Sequence, residues 1–169
     1  DINQKIATSA TDDISIYECI NFARGAVTPT LNPKAIECLE KSIKKDPNYA
    51  DAWIWLADRK RAQHSSFSMT NEFKYMLEEA SKEIDRGLIL DPEHAFGYST
   101  KLQIEFYKNN WQEMFNVAEK AYSLAGERPH LLGKIGYSLA YGGQCEKEDI
   151  YKSTDELKSV KNNRCQFQR

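Results

Sequence analysis

The residues able to do chemistry are scattered along this chain. Cys19, Cys38, Cys145 and Cys165 have no C-x-x-C spacing, and His64, His94 and His130 stand far from one another, so no soft or imidazole ligand set closes around a metal by spacing alone. Nucleophilic or acid–base catalysis needs a nucleophile beside a base, or two carboxylates facing a cleft. The carboxylates on offer serve other ends: Asp46 and Asp91 precede prolines in turns, while Glu37, Glu40, Glu78 and Glu79 lie on amphipathic segments and face solvent. Neither a G-x-G-x-x-G fingerprint nor a P-loop occurs. The expectation is a chain that is not an enzyme and carries no cofactor and no metal. Its cysteines are expected as buried thiols; Cys19 and Cys38 fall on adjacent antiparallel segments and can approach each other, which leaves pairing and redox compartment open.

Composition narrows the partners. The 169 residues are 41% hydrophobic, enough for one continuous core, and the net charge of −2 with 28% interspersed charged residues lacks the basic footprint of a nucleic-acid binder. No apolar run approaches the roughly 18 residues of a membrane span, and the start, DINQKIATSATDD, has no signal-peptide core. No direct nucleic-acid contact and no membrane insertion are expected. The location expected is cytoplasmic, or periplasmic if a parent protein is membrane-anchored, since a chain that begins at Asp1 reads as a piece of something larger.

The elements that position these side chains are organised around Ala35 to Ala57, AIECLEKSIKKDPNYADAWIWLA. Pro47 has no N–H and disfavours a helical Asp46, so one helix stops there and the next begins at Ala50, with Ala50, Trp53, Leu56 and Ala57 on one face. The joint recurs: Ala80, Ile84, Gly87, Asp91 and Pro92 reproduce the interval from Ala35 to Pro47. Further helices are expected over Ile16 to Val27 with a Ser15/Glu18 capping box, from an Asn32 N-cap with Pro33 behind it to Lys45, and from Ala50 to Gln63. Beyond these, helices are expected from Asn71 to Leu90, Glu93 to Lys108, Trp111 to Leu124 before Gly126, and Pro129 to Gly142, with a polar capping helix from Glu146 to Val160.

This pattern resembles the tetratricopeptide repeat, a helix-turn-helix unit of about 34 residues with a large residue early in its first helix, small residues where its helices cross and a proline near its end. The equivalent large positions are Cys19, Trp53, Tyr98 and Leu132, separated by 34, 45 and 34 residues, which places an insertion inside the second repeat. The expected fold is an all-α, right-handed superhelical solenoid of about eight helices in a single domain over 15–160. Its repeats run at about 15–48, 49–93 with an inserted loop 64–74, 94–128 and a degraded, capping 129–160, between tails at 1–14 and 161–169. Trp53 takes the packing position between the helices of its repeat, and Trp55, two residues on, must point elsewhere, to a ligand or to the inserted loop.

The resemblance implies a concave groove lined by the first helix of each repeat. Carried over residue by residue, it assigns Tyr17, Ile20, Asn21 and Arg24 from the first repeat and Asp51, Ile54, Trp55, Asp58 and Arg61 from the second. The third contributes Phe96, Thr100, Gln103, Phe106 and Tyr107, and the fourth Lys134, Tyr137 and Tyr141. Aromatics mixed with a few charges suit an extended peptide or a helix laid in a groove. A clamp for a chaperone's C-terminal carboxylate would draw on Asn21, Arg24 and Lys134, but these do not occupy matching positions in adjacent repeats.

A narrower likeness rests on Tyr17, Ala23, Arg24 and Gly25, on AIECLEKSIKKDPNYADAW, and on the closing GYSLAYGGQCEK. Together these look like the C-terminal repeat domain of bacterial signalling proteins, which follows class III adenylate cyclase domains or winged-helix transcription regulators. That likeness implies a regulatory or sensory module that recruits a protein partner. The other readings are an oligomerisation scaffold, a homodimer pairing near Trp111 and Phe115 or at Phe67, and a small-molecule sensor closed by the insertion.

Overall fold

The computed structural model describes residues 15–63 and 70–142. All regular structure among them is helical, in two units that divide after Pro92. The first unit holds α1 (Ile16–Gly25), α2 (Asn32–Lys45), α3 (Ala50–Ala62) and α4 (Asn71–Leu90). The second holds α5 (Ala95–Tyr107), α6 (Trp111–Ala125) and α7 (Pro129–Tyr141). Residues 64–69, the capping segment expected from Glu146 to Val160, Cys145, Cys165 and both tails lie outside the described residues.

The punctuation read from the sequence sets the helix ends. The Ser15 hydroxyl accepts from the Glu18 N–H while the Glu18 carboxylate accepts from the Ser15 N–H, closing the capping box. Asp46 and Asp91 adopt nearly the same extended conformation, φ −137° and −133°, as the residue before a proline must. At the first of these turns Asp46 Oδ1 accepts from the Asn48 N–H at 3.0 Å. Gly126 closes α6 at φ +56°, where a β-carbon would be strained. His94, a residue with no assigned role in the sequence reading, caps α5: its Nδ1 accepts from the Gly97 N–H at 3.0 Å.

One cap differs from the expectation. Asn32 is the first residue of α2 rather than its N-cap, and its buried side chain donates from Nδ2 to the Arg59 carbonyl at 2.8 Å, tying the start of α2 to the end of α3. Leu31 stands in the capping position without a side-chain bond, and Thr28 closes the preceding turn. The long-range bond wins because Asn32 faces α3, where an unpaired amide would be costly.

In the first unit α1, α2 and α3 pack side by side, and α3 lies along α4 in the most extensive contact. Cys19, Ile20, Phe22, Ala35, Leu39 and Leu56 form the core between α1, α2 and α3. Within it Cys19 and Cys38 are joined as a disulfide, with Cα atoms 5.6 Å apart, where buried thiols were expected. The α3–α4 crossing is close because Gly87 faces Ile54; a β-carbon there would stand 2.6 Å from Ile54 Cγ1. Trp53 is half-buried, and its indole Nε1 donates to the Pro47 carbonyl at 2.9 Å, fastening the turn to the helix it opens.

In the second unit α5 packs on α6 and α7, and α6 on α7. Leu102, Met114, Ala121, Leu132, Ile135 and Leu139 fill the centre. Lys101 stands where a repeat expects a large apolar residue; its ammonium pairs across to Glu113 on α6 at 3.6 Å, which accommodates the charge.

Candidate interaction surfaces

In the first unit the sequence-expected groove residues come from α1 and α3, which are neighbours. Tyr17, Asn21 and Arg24 recur along α1 at spacings of four and three, which puts them on one face. Tyr17 is 66% exposed, Arg24 is exposed, and Arg24 Nη1 donates a long 3.5 Å bond to Asn21 Oδ1. Trp55, half-buried on α3, is approached by two guanidinium groups, with the Arg24 and Arg59 Cζ atoms each 5.8 Å from its ring centroid. Trp55 also packs against the α1–α2 core.

Arg59 was not among the expected site residues. Its Nη1 donates to the Ala26 carbonyl at 2.9 Å, capping the C-terminal end of α1, and its Nη2 donates to Asp58 Oδ2. The other Asp58 oxygen accepts from Arg61 Nη2 at 2.7 Å. Asp58, expected in the groove, is 1% exposed and acts as the buried counter-ion of two arginines, so it lines no open surface. A signal for this existed: the four consecutive charges Asp58-Arg59-Lys60-Arg61 sweep most of a helical turn and cannot all face water on a helix with neighbours on several sides. Lys60 accordingly turns to α4, pairing with the buried Glu83 and, at 3.8 Å, with Glu40 of α2. A cleft of about 250 Å³ lies beside this cluster, lined by Ala26 to Pro29, Asn32, Arg59, Ala62 and Gln63.

In the second unit four of the expected residues come together. Phe106 is a hub, with edge-on contacts to Tyr107, Tyr137 and Tyr141 at centroid distances of 5.3, 6.3 and 6.3 Å. Tyr137 and Tyr141, one turn apart on α7, stack at 4.5 Å. Trp111 joins the hub at 5.8 Å and is 39% exposed. Lys134 Nζ lies 4.5 Å above the Phe96 ring, a cation–π contact between α7 and α5. Gln103 is half-buried, while Thr100 is fully buried and presents nothing to a surface.

The arrangement of helix pairs has solved counterparts. TTC0263, a thermophilic TPR protein of Thermus thermophilus, matches with a TM-score of 0.73 at 12% identity over 99% of this chain and 84% of its own. The fold is that of the tetratricopeptide repeat. Two structures of MamA match with a TM-score of 0.58 at 16% identity, over 94% and 95% of this chain and 85% and 82% of theirs. No protein-family model and no curated protein matches the chain. Among the described residues no helix is long and apolar enough to cross a membrane, and no cluster of three or more His, Cys, Asp or Glu side chains is placed to hold a metal ion.

Proposed function

We propose that the chain is a non-catalytic protein- or peptide-interaction module, the regulatory or sensory part of a bacterial signalling protein. The observation that carries this reading is the pairing of aromatic rings with cations on the first helices of the repeats: Trp55 with Arg24 in one unit, Phe96 with Lys134 in the other. Half-exposed aromatic and arginine side chains on rigid helices lose little conformational entropy when a partner docks, and they are the residue types that dominate binding energy. The signalling context rests on the likeness of the repeat sequence to the domains that follow cyclase and winged-helix modules.

The test is capture of partners from a bacterial lysate by the purified chain beside Trp55→Ala and Tyr107→Ala variants matched for helicity and melting temperature. A partner held by the wild type and lost from a variant supports the module reading and assigns the face. Equal capture by all three moves the function away from both faces. If nothing is captured and sedimentation gives a mass that rises with concentration, the chain is a self-association scaffold instead.

A further inference from the structure

The cleft beside the Asp58–Arg59 pair lies at the ends of helices rather than along their faces, between the turn that follows α1, the start of α2 and the end of α3. Ala26, Val27, Pro29 and Ala62 give it apolar walls, and Asn32 and Arg59 supply a polar part. Those two are 4% and 7% exposed, and each keeps one unmet atom: Asn32 Oδ1 and Arg59 Nε have no hydrogen-bond partner among the described residues. Their other groups are committed, Asn32 Nδ2 to the Arg59 carbonyl, and Arg59 Nη1 and Nη2 to Ala26 and Asp58. A buried acceptor and a buried donor on two residues tied to each other are costly until something answers both.

The chemistry of the pair selects the occupant. Asn32 Oδ1 and the carbonyl end of α1 oppose an anion, and Asp58 already offsets the Arg59 charge. The Arg59 guanidinium opposes a cation. A neutral group with a carbonyl oxygen beside an N–H suits both atoms, since the oxygen can accept from Arg59 Nε while the N–H donates to Asn32 Oδ1. The cleft volume of about 250 Å³ is below the roughly 300–1,000 Å³ of drug-sized ligand sites, so one small planar group on an apolar body fills it. We propose that this cleft binds a primary carboxamide, carried by a small free molecule or by the Asn or Gln side chain of a partner. Solvent does not reach either polar atom, so binding entails a turn of the Asn32 or Arg59 side chain toward the entering amide.

The test is a nuclear magnetic resonance titration of the whole isotope-labelled chain with benzamide, benzoate and benzamidine, probes of one shape that differ in charge and hydrogen-bonding pattern. The expected result is saturable binding of benzamide at about millimolar Kd, with shifts centred on the Arg59 Nε–H and Asn32 side-chain amide resonances. Benzoate and benzamidine should bind about tenfold to a hundredfold more weakly. Ala62→Phe fills the cleft from its apolar wall and should abolish benzamide binding at unchanged helicity; Ala62→Leu replaces it if the larger side chain impairs folding. Competition with a blocked Gly-Gln-Gly peptide assigns the source: displacement of benzamide by the peptide points to a partner's side chain, and its failure to compete points to a free carboxamide. Equal binding of the three probes, shifts that spare Arg59 and Asn32, binding that survives the filled cleft, or no saturable shift with benzamide each overturn the proposal. The module reading rests on Trp55 and Phe96 and stands or falls separately.

Discussion

Glu83 carries a cost that its neighbours only partly offset. Its carboxyl is buried between α3 and α4, one oxygen accepts from Lys60, and the other has no donor among the described residues. Burial lifts its pKa above the ordinary carboxylate value, and the hydrogen bond and charge of Lys60 pull it back by less. A carboxyl raised in the folded state contributes stability that is fully present below the unfolded-chain pKa, about 4.3, and is lost as pH rises through the higher folded value. Glu83→Gln mimics the protonated form and leaves Lys60 with Glu40 and a path to water, so at pH 7 it should be as stable as the wild type or more so, with the difference closing near pH 4. Lys60→Met does the reverse: it strands a buried carboxylate and should cost about 3–5 kcal/mol at pH 7 and less at pH 4, where Glu83 takes up a proton. Urea titrations at the two pH values check both. The charge run shows in the sequence that some of its members must turn inward, but not which ones or toward what; Lys60 finds Glu83 23 residues away and Arg59 finds Ala26 33 residues away.

Helices and turns were far more legible, since their signals are local. The prolines after Asp46 and Asp91, the Ser15/Glu18 box and Gly126 each act within a few residues, and the observed helix ends follow them closely. Asn32 escaped that logic because its partner is on another helix. Gly87 shows the limit from the other side: the repeat pattern asks for a small residue there, and the α3–α4 crossing explains why. An added methyl would enter Ile54 Cγ1, a fully buried atom with no room to retreat, and would come within 3.4 Å of the Ala50 carbonyl oxygen. Gly87→Ala gains roughly 0.5–1 kcal/mol of helix propensity but incurs an overpacking cost of about 1–3 kcal/mol, for a net loss of up to about 2.5 kcal/mol. Combining it with Ile54→Ala removes the obstructing γ-carbon, so the second substitution should make the first nearly neutral or favourable. A double-mutant cycle in urea denaturation measures that coupling; additive costs would mean the crossing is not set by this contact.

At the scale of the molecule, the helices of each unit pack on their neighbours within that unit, so stability is shared locally. The α1 helix is short, Ile16–Gly25, too short to persist by its own hydrogen bonds. Two devices fasten it: Arg59 on the Ala26 carbonyl, and the Cys19–Cys38 bridge to α2 across a sequence separation of 19. The fold class could be read from spacing because repeats restate themselves; the bridge could not, because two buried cysteines on adjacent helices satisfy a core equally well as thiols. The bridge makes the compartment matter, since a reducing one would hold this pair open. Closing a loop of this length is worth about 3 kcal/mol in the chain-entropy account. Reduction should therefore lower the stability of the first unit by about that amount, and a Cys19→Ser, Cys38→Ser chain should behave as the reduced protein with or without reductant. Hydrogen exchange locates the effect: protection should fall in α1 and α2, while α3 and α4, held by Gly87, Ile54 and the Lys60–Glu83 pair, keep theirs. An exchange pattern in α1 that ignores reductant would mean that Arg59 and the Phe22 core anchor the helix without the bridge.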